Sequence, residues 1–196
     1  MDYQSRRQVQ GEATRLAILD AAIRLTRQVG FDKMTIRDIC TAAGVTTGAF
    51  YHHFSSKEDL VAHAFSSLDG YMEKALAPYR SEPAAQQLDR LLRLYARYME
   101  DRGWQTMAFY YIRRLSDPQT NVVSPNRYTL RTMERCLEEL HREGAMAPSL
   151  DPRQTADFFY RHFRGVVIDW VLHRGEYSLW EKLEQDYHLF QHTFRS

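Results

Sequence analysis

In the stretch TIRDICTAAGVTTGAFYHHFSSKEDL, Thr35 to Leu60, the hydrogen-bonding tips of Thr46, Thr47, Tyr51 and His52 and the ammonium of Lys57 stand among the small residues Gly48 and Ala49. That mixture suits a reversible grip on a nucleic-acid duplex. Small residues let a backbone approach a base edge, and a threonine hydroxyl donates or accepts while its methyl meets a thymine methyl. Tyrosine, histidine and lysine tips reach phosphate oxygens, which fix position without reading sequence. Thr35 and Arg37 offer the same contacts from a little upstream.

Such side chains need a tight corner to present them together. Ile36, Ile39, Cys40 and Ala43 repeat at helical spacing over Thr35–Ala43, with Asp38 placed to close a capping box on Thr35. Gly44 then supplies a turn, and Thr46 caps a short helix that ends near Phe54, with Val45, Ala49, Phe50 and Phe54 inward. Helix, glycine turn, short helix is the helix-turn-helix arrangement, whose second helix enters the major groove N-terminus first. Lys57 begins the next helix, where its ammonium and the free N–H groups would make a phosphate corner.

The remaining pattern is helical throughout. A first helix spans about Thr14–Gln28 on Ile18, Ala22, Leu25 and Val29, stopped by Gly30, with Phe31 folding back. Ser56 caps a fourth, long helix from Lys57 to about Ala77, with Asp59 as its capping-box partner. Pro78 and Pro83 bracket a loop. A fifth helix runs from Pro83 to Gly103, and a sixth from Trp104 to about Leu115. After the loop SDPQTNVVSP a seventh begins at Ser124-Pro125 and ends at Gly144. An eighth runs from Asp151-Pro152 to His173, and a ninth starts at Ser178. The expected fold is therefore all-α, about nine helices, with a three-helix DNA-binding domain at 1–56 and a helical effector-binding and dimerisation domain at 57–196.

Composition narrows the function classes. At 196 residues, 44% apolar and 26% charged, the chain has the balance of a globular protein with a real core. The net charge of +1 carries no argument for a nucleic-acid partner, but through Lys57 there are eight basic residues against five acidic ones, a surplus of three. No apolar run approaches the roughly 18 residues of a membrane span, and the polar N-terminus lacks a signal-peptide core, so a cytoplasmic protein without membrane association is expected. Cys40 and Cys136 lie far apart within apolar helical patterns and read as buried free thiols. His52, His53 and His63 have no spacing that pairs ligands, so no metal site is expected, and His53 reads as packing. The sequence contains no nucleophile elbow, phosphate loop or zinc-protease motif, and Glu138-Glu139 reads as a solvated helix side. Neither an enzyme nor a cofactor is implied.

The segment TIRDIC-AAGV-TGAFYHHF-SKEDL resembles the DNA-binding segment of the TetR/AcrR transcriptional regulators. The likeness is carried by Ala43-Gly44-Val45, Gly48, Tyr51-His52, Phe54 and Ser56-Lys57-Glu58, with Ala21-Ala22, Leu25, Gly30 and Phe31 matching the preceding helix. It covers about the first third of the chain; the rest is similar only in length and helical character. The resemblance implies phosphate contacts by Tyr51, His52 and Lys57 and places Thr35, Arg37, Thr47, Gly48 and Ala49 near the bases. Thr47 stands where a lysine or other long polar residue is common in that family, which shifts readout toward Arg37. His53 stands where a tyrosine is common.

The same resemblance implies an effector pocket in the helical body. Tyr95, Met99, Trp104, Met107, Tyr111, Met133 and Cys136 are its expected lining, and their polarity suits a small, largely apolar or aromatic ligand with a polar end. An ordinary core is the other reading of these aromatics. On the last two helices, Phe159, Phe163, Val166, Trp170, Leu183, Tyr187, Phe190 and Phe194 are expected to meet their copies in a four-helix homodimer interface, with the core of one monomer as the alternative. Gly165 sits mid-helix, where it costs stability unless another backbone approaches. The implied function is a homodimeric, ligand-responsive repressor of a pseudo-palindromic operator. Alternatives are an effector-independent DNA binder or an activator and, further off, a helical enzyme or ligand carrier.

Overall fold

The computed structural model describes residues 3–66, 68–116 and 126–194, and among these every regular element is helical. The helices are α1 (Tyr3–Val29), α2 (Ile36–Ala43), α3 (Thr47–His53), α4 (Lys57–Ser66), α5 (Leu68–Leu76), α6 (Ala84–Arg102), α7 (Trp104–Ser116), α8 (Tyr128–Arg142), α9 (Pro152–Leu172) and α10 (Leu179–Phe194), with a 3-10 turn at Ala77–Tyr79.

Local chemistry sets most helix ends. Thr35 accepts from the Asp38 N–H while the Asp38 carboxylate accepts from the Thr35 N–H, a complete capping box. Gly44 adopts φ 67°, and its N–H returns to the carbonyls of α2. Thr46 Oγ1 accepts from Ala49 N at 3.1 Å, and Asp151 Oδ1 from Gln154 N at 2.7 Å, with Pro152 as the first helical residue. Ser178 Oγ accepts from Glu181 N. Each of these caps occupies an N–H that the helix itself leaves unsatisfied.

Two helix starts and one cap differ from the sequence expectation. Helix α1 begins well upstream of Thr14; its added turns carry exposed Arg6, Arg7, Gln8, Val9 and Gln10, so they have no buried stripe to reveal them. The expected fourth helix, Lys57 to about Ala77, corresponds to α4 and α5 together; residue 67 between them lies outside the described residues. Helix α8 starts at Tyr128 with Arg127 at its cap and no side-chain cap bond, several residues after the expected Ser124-Pro125, which lies outside the described residues. Asp59 serves two serines: its N–H donates to Ser56 Oγ, while its carboxylate accepts from Ser55 rather than Ser56.

Two cores form. The first gathers Ile18, Ala22, Phe31, Met34, Ile39, Phe50, Phe54 and Leu60 from α1–α4. The second begins at Leu68 and takes in the buried sides of α5–α10. Cys40 and Cys136 are buried and free, one in each core. Burial pushes both thiols up, Cys136 to about 11, which keeps them protonated and inert.

Helix α7 joins the two parts. It packs on α1 and α4 on one side and on α9 on the other. Phe109 stacks on Phe31 with ring centroids 3.8 Å apart. Nearby, Gly103 ends α6 at φ 79°, and a Cβ there would lie 2.9 Å from Arg27 Cγ. Arg27 also reaches the Asp101 carbonyl.

Candidate nucleic-acid interface and effector cavity

The N-terminal end of α3 is on the outside of the molecule. Thr46, Thr47 and Gly48 are exposed, Ala49 is half-buried, and Phe50 behind them is fully enclosed. Tyr51 is 58% exposed, with its ring edge-on to Phe50, and His52 is exposed beside it. Arg37 is exposed on α2. These residues are exposed because α3 buries only one side, through Phe50 and, one turn on at its C-cap, Phe54.

Gly48 has no internal reason to be glycine. It sits in the first turn of a helix, and a Cβ there would meet only Thr46 Oγ1, at an ordinary 3.8 Å. In a helix glycine costs up to about 1 kcal/mol relative to alanine. The bare backbone therefore suits something outside the chain.

Two residues take places other than those expected. The Lys57 ammonium donates to the carbonyls of Phe31 and Met34, each at 2.9 Å, and lies 4.3 Å from the Phe31 ring centroid. Two of its three donors are thus committed to closing the α1–α2 turn, which corrects its reading as an outward phosphate contact. Thr35 likewise is engaged by Asp38, its hydroxyl donating at 2.6 Å and accepting at 3.2 Å. Those bonds, together with the Thr35 N–H, hold the Asp38 carboxyl below its usual range. His53 is half-buried against α1, its Cε1 4.0 Å from where a Cβ on Gly11 would stand. Burial, then the neighbouring His52, pushes its pKa down.

In the second core, α5, α6, α7, α9 and the residue before α8 surround a cavity of about 70 Å³. Tyr95 and Met99 of α6 and Tyr110 and Tyr111 of α7 line it. Opposite them stand Arg127 before α8 and the series Tyr160, Arg164, Ile168 on one side of α9. Desolvation raises the pKa of Tyr95 and Tyr111 far out of the physiological range and raises that of Tyr160, so all three keep their hydroxyl protons.

Of the expected lining, Tyr95, Met99 and Tyr111 are at this cavity. Met107, Met133 and Cys136 are instead buried in the core away from the lining of this cavity, because each falls on the fully buried stripe of its helix. Trp104 lines a separate cleft with Arg27, Gly103, Trp170 and Gly175, between the two parts of the molecule. Tyr160 and Arg164 were outside the expectation because α9 read as an interface. Their signal was in the sequence: Arg164 has Tyr160 and Ile168 four residues to either side and no acid there.

The last two helices turn their strongest apolar residues inward. Phe159, Phe163, Val166, Trp170, Leu183 and Tyr187 are buried in the monomer's own core, and Phe190 is partly buried against it. This corrects the expected interface: these residues already have partners within one chain. The side chain of Phe194 lies outside the described residues. What α9 and α10 leave exposed is the opposite side, with Phe158, Gly165, Ile168, Leu172 (74% exposed) and Leu189.

Among the described residues no group of histidine, cysteine and carboxylate side chains could hold a metal ion, and no helix is long and apolar enough to cross a membrane.

Comparison with known proteins gives this geometry a context. Residues 18–64 match the family described as bacterial regulatory proteins, tetR family. The chain is 29% identical over 181 residues to the HTH-type transcriptional repressor KstR2 of Mycolicibacterium smegmatis, covering 87% of this chain and 84% of that one. The fold is similar to that of the fatty acid degradation regulator FadR from Bacillus halodurans, with a TM-score of 0.66 at 21% identity over 91% of this chain and 94% of that one. It is also similar to FadR from Bacillus subtilis in complex with stearoyl-CoA, with a TM-score of 0.61 at 21% identity over 87% and 94%.

Proposed function

We propose that this chain, whose residues 18–64 match the tetR family of bacterial regulatory proteins, is a homodimeric, cytoplasmic repressor of that family, released from a pseudo-palindromic operator by a small effector. The observation that carries the reading is helix α7. Phe109 on α7 stacks on Phe31 in the DNA-reading head, while the next two residues, Tyr110 and Tyr111, line the cavity in the body. A ligand that displaces Tyr110 and Tyr111 therefore moves the ring against which the head is packed. Such a ligand shifts DNA affinity only by its difference in affinity for the two arrangements, usually about 1–3 kcal/mol.

In this reading the head extends to about position 56 and the body carries the effector and the dimer contact. Thr47, Gly48 and Ala49 approach the bases with Arg37, and Tyr51 and His52 hold phosphates. The dimer forms across the exposed side of α9 and α10, where Gly165 lets a second backbone come close and Phe158, Leu172 and Leu189 supply apolar area. A two-fold pair then sets two recognition helices about one DNA turn apart, roughly 34–36 Å. The relative solved with stearoyl-CoA supports a body of this fold holding an effector.

Selection of bound duplexes from a random pool tests the reading. A palindromic site bound by two chains is expected, with binding lost when Tyr51→Ala and His52→Ala are combined. Unchanged affinity of that double variant, or a monomer on a non-palindromic site, would overturn it.

A further inference from the structure

Two guanidinium groups at the wall of the cavity beside α7, Arg127 and Arg164, face one carboxylate among the described residues. It is that of Asp69, whose Oδ2 is 3.8 Å from Arg127 Nε, beyond hydrogen-bond distance. Arg127 has a side chain only 17% exposed. Arg164 meets the Tyr111 hydroxyl, and Arg114 Nε donates to Tyr110 Oη at 3.0 Å. An enclosed guanidinium whose neighbours are hydroxyl groups is costly unless a negative charge arrives.

The donors converge. Tyr111 and Tyr160 keep their protons, so with Arg127 and Arg164 they present N–H and O–H groups toward one volume. Arg127 also stands at the start of α8, whose first N–H groups no side chain caps, and that helix end adds to the same positive field. The other walls, Leu68, Met99 and Ile168, are apolar.

We propose that the effector is an amphipathic anion, its apolar body against Leu68, Met99 and Ile168 and its carboxylate or phosphate end held by Arg164 and Arg127 with Tyr111 and Tyr160 donating. This rests on the effector-responsive reading above and names the chemistry of that site. Charge-assisted bonds to two guanidinium groups give the anion its advantage over a neutral ligand of equal apolar area. The cavity, at about 70 Å³, holds only a few heavy atoms. Occupancy therefore pushes its walls apart, and α7 is the wall that bears on the head.

Calorimetric titration of the full chain with octanoate, octyl phosphate and octanol tests this. At least one anion is expected to bind about tenfold or more tightly than octanol, and whichever anion binds better assigns the headgroup. Arg164→Gln should bring the anion and the alcohol within about threefold of each other without weakening octanol, while Arg164→Lys retains much of the preference. A melting curve for each variant separates loss of folding from loss of recognition. Octanol binding as tightly as both anions, an unchanged preference in Arg164→Gln, or no binding by any probe would overturn the proposal. Release of a selected operator duplex by octanol would leave the effector-responsive reading standing while the anionic end falls. A chain that binds octanoate or octyl phosphate with the expected preference yet keeps its DNA would do the reverse.

Discussion

The two cores are built on different terms. The head packs apolar side chains and one inert thiol; its one fully buried polar side chain among the described residues, Thr26, donates to the Ala22 carbonyl, and the Lys57 tie lies at the rim. The body takes tyrosines and arginines into its interior and leaves Thr106 Oγ1, Thr129 Oγ1 and Asp69 Oδ1 buried with no hydrogen-bond partner among the described residues. Each such atom costs about 1–3 kcal/mol. Under the proposed function, the part that presents a fixed surface is satisfied internally, and the part that changes shape keeps unmet polar groups that another arrangement, or a ligand, can satisfy.

The largest expected effect breaks the head alone. Phe50→Ala removes a fully enclosed ring and should cost about 3–5 kcal/mol. Calorimetry should then show the head melting early and DNA binding lost, with ligand binding by the body retained; loss of both together would mean that the two cores are one unit. Cutting the link is next. Phe109→Ala should leave ligand affinity within a few-fold and DNA affinity nearly intact while abolishing release, so that a coupling of about 1–3 kcal/mol falls toward zero. A DNA-binding titration with and without ligand checks it.

Two smaller changes sharpen the contrast within the head. Lys57→Met should lower the head's melting point by removing the tie to Phe31 and Met34, with little change in the salt dependence of DNA binding; a slope reduced by about one would restore Lys57 to the phosphates. Gly48→Ala should raise stability by up to about 1 kcal/mol and yet weaken DNA binding, a combination that an internal role for the glycine does not produce.

The smallest effect is a pH slope. Burial lowers the pKa of His53 in the folded chain below its ordinary value of 6.5. Between those two values the unfolded chain binds the extra proton, so stability rises with pH through that window and is complete above 6.5. His53→Gln should flatten the slope in a denaturant series taken across pH 5 to 7.

How far the sequence reveals this architecture follows the same division. The α2–α3 corner is legible because its determinants are local: Asp38 three residues after Thr35, a glycine at φ 67°, a threonine cap on a seven-residue helix. Helix α9 is less so. Its sequence shows apolar residues on two sides, and only tertiary packing decides that Phe159, Phe163 and Trp170 face inward while Phe158, Ile168 and Leu172 stay outside. Lys57 shows the same limit from another direction. A lysine at a helix start beside a DNA-reading corner reads as a phosphate ligand, and nothing in its neighbours announces two carbonyls waiting 23 and 26 positions upstream. Arg164 was hidden by expectation alone, since the absence of an acid one turn away is visible in the chain.

Gly103 has a mechanical consequence. Because a side chain at that position would collide with Arg27, the head rests on the body there through main chain and one guanidinium stem. Any residue larger than glycine there would have to push the Arg27 stem aside, and with it the hold of α1 on the end of α6, so the closeness of head and body at this point is set by one missing methyl group.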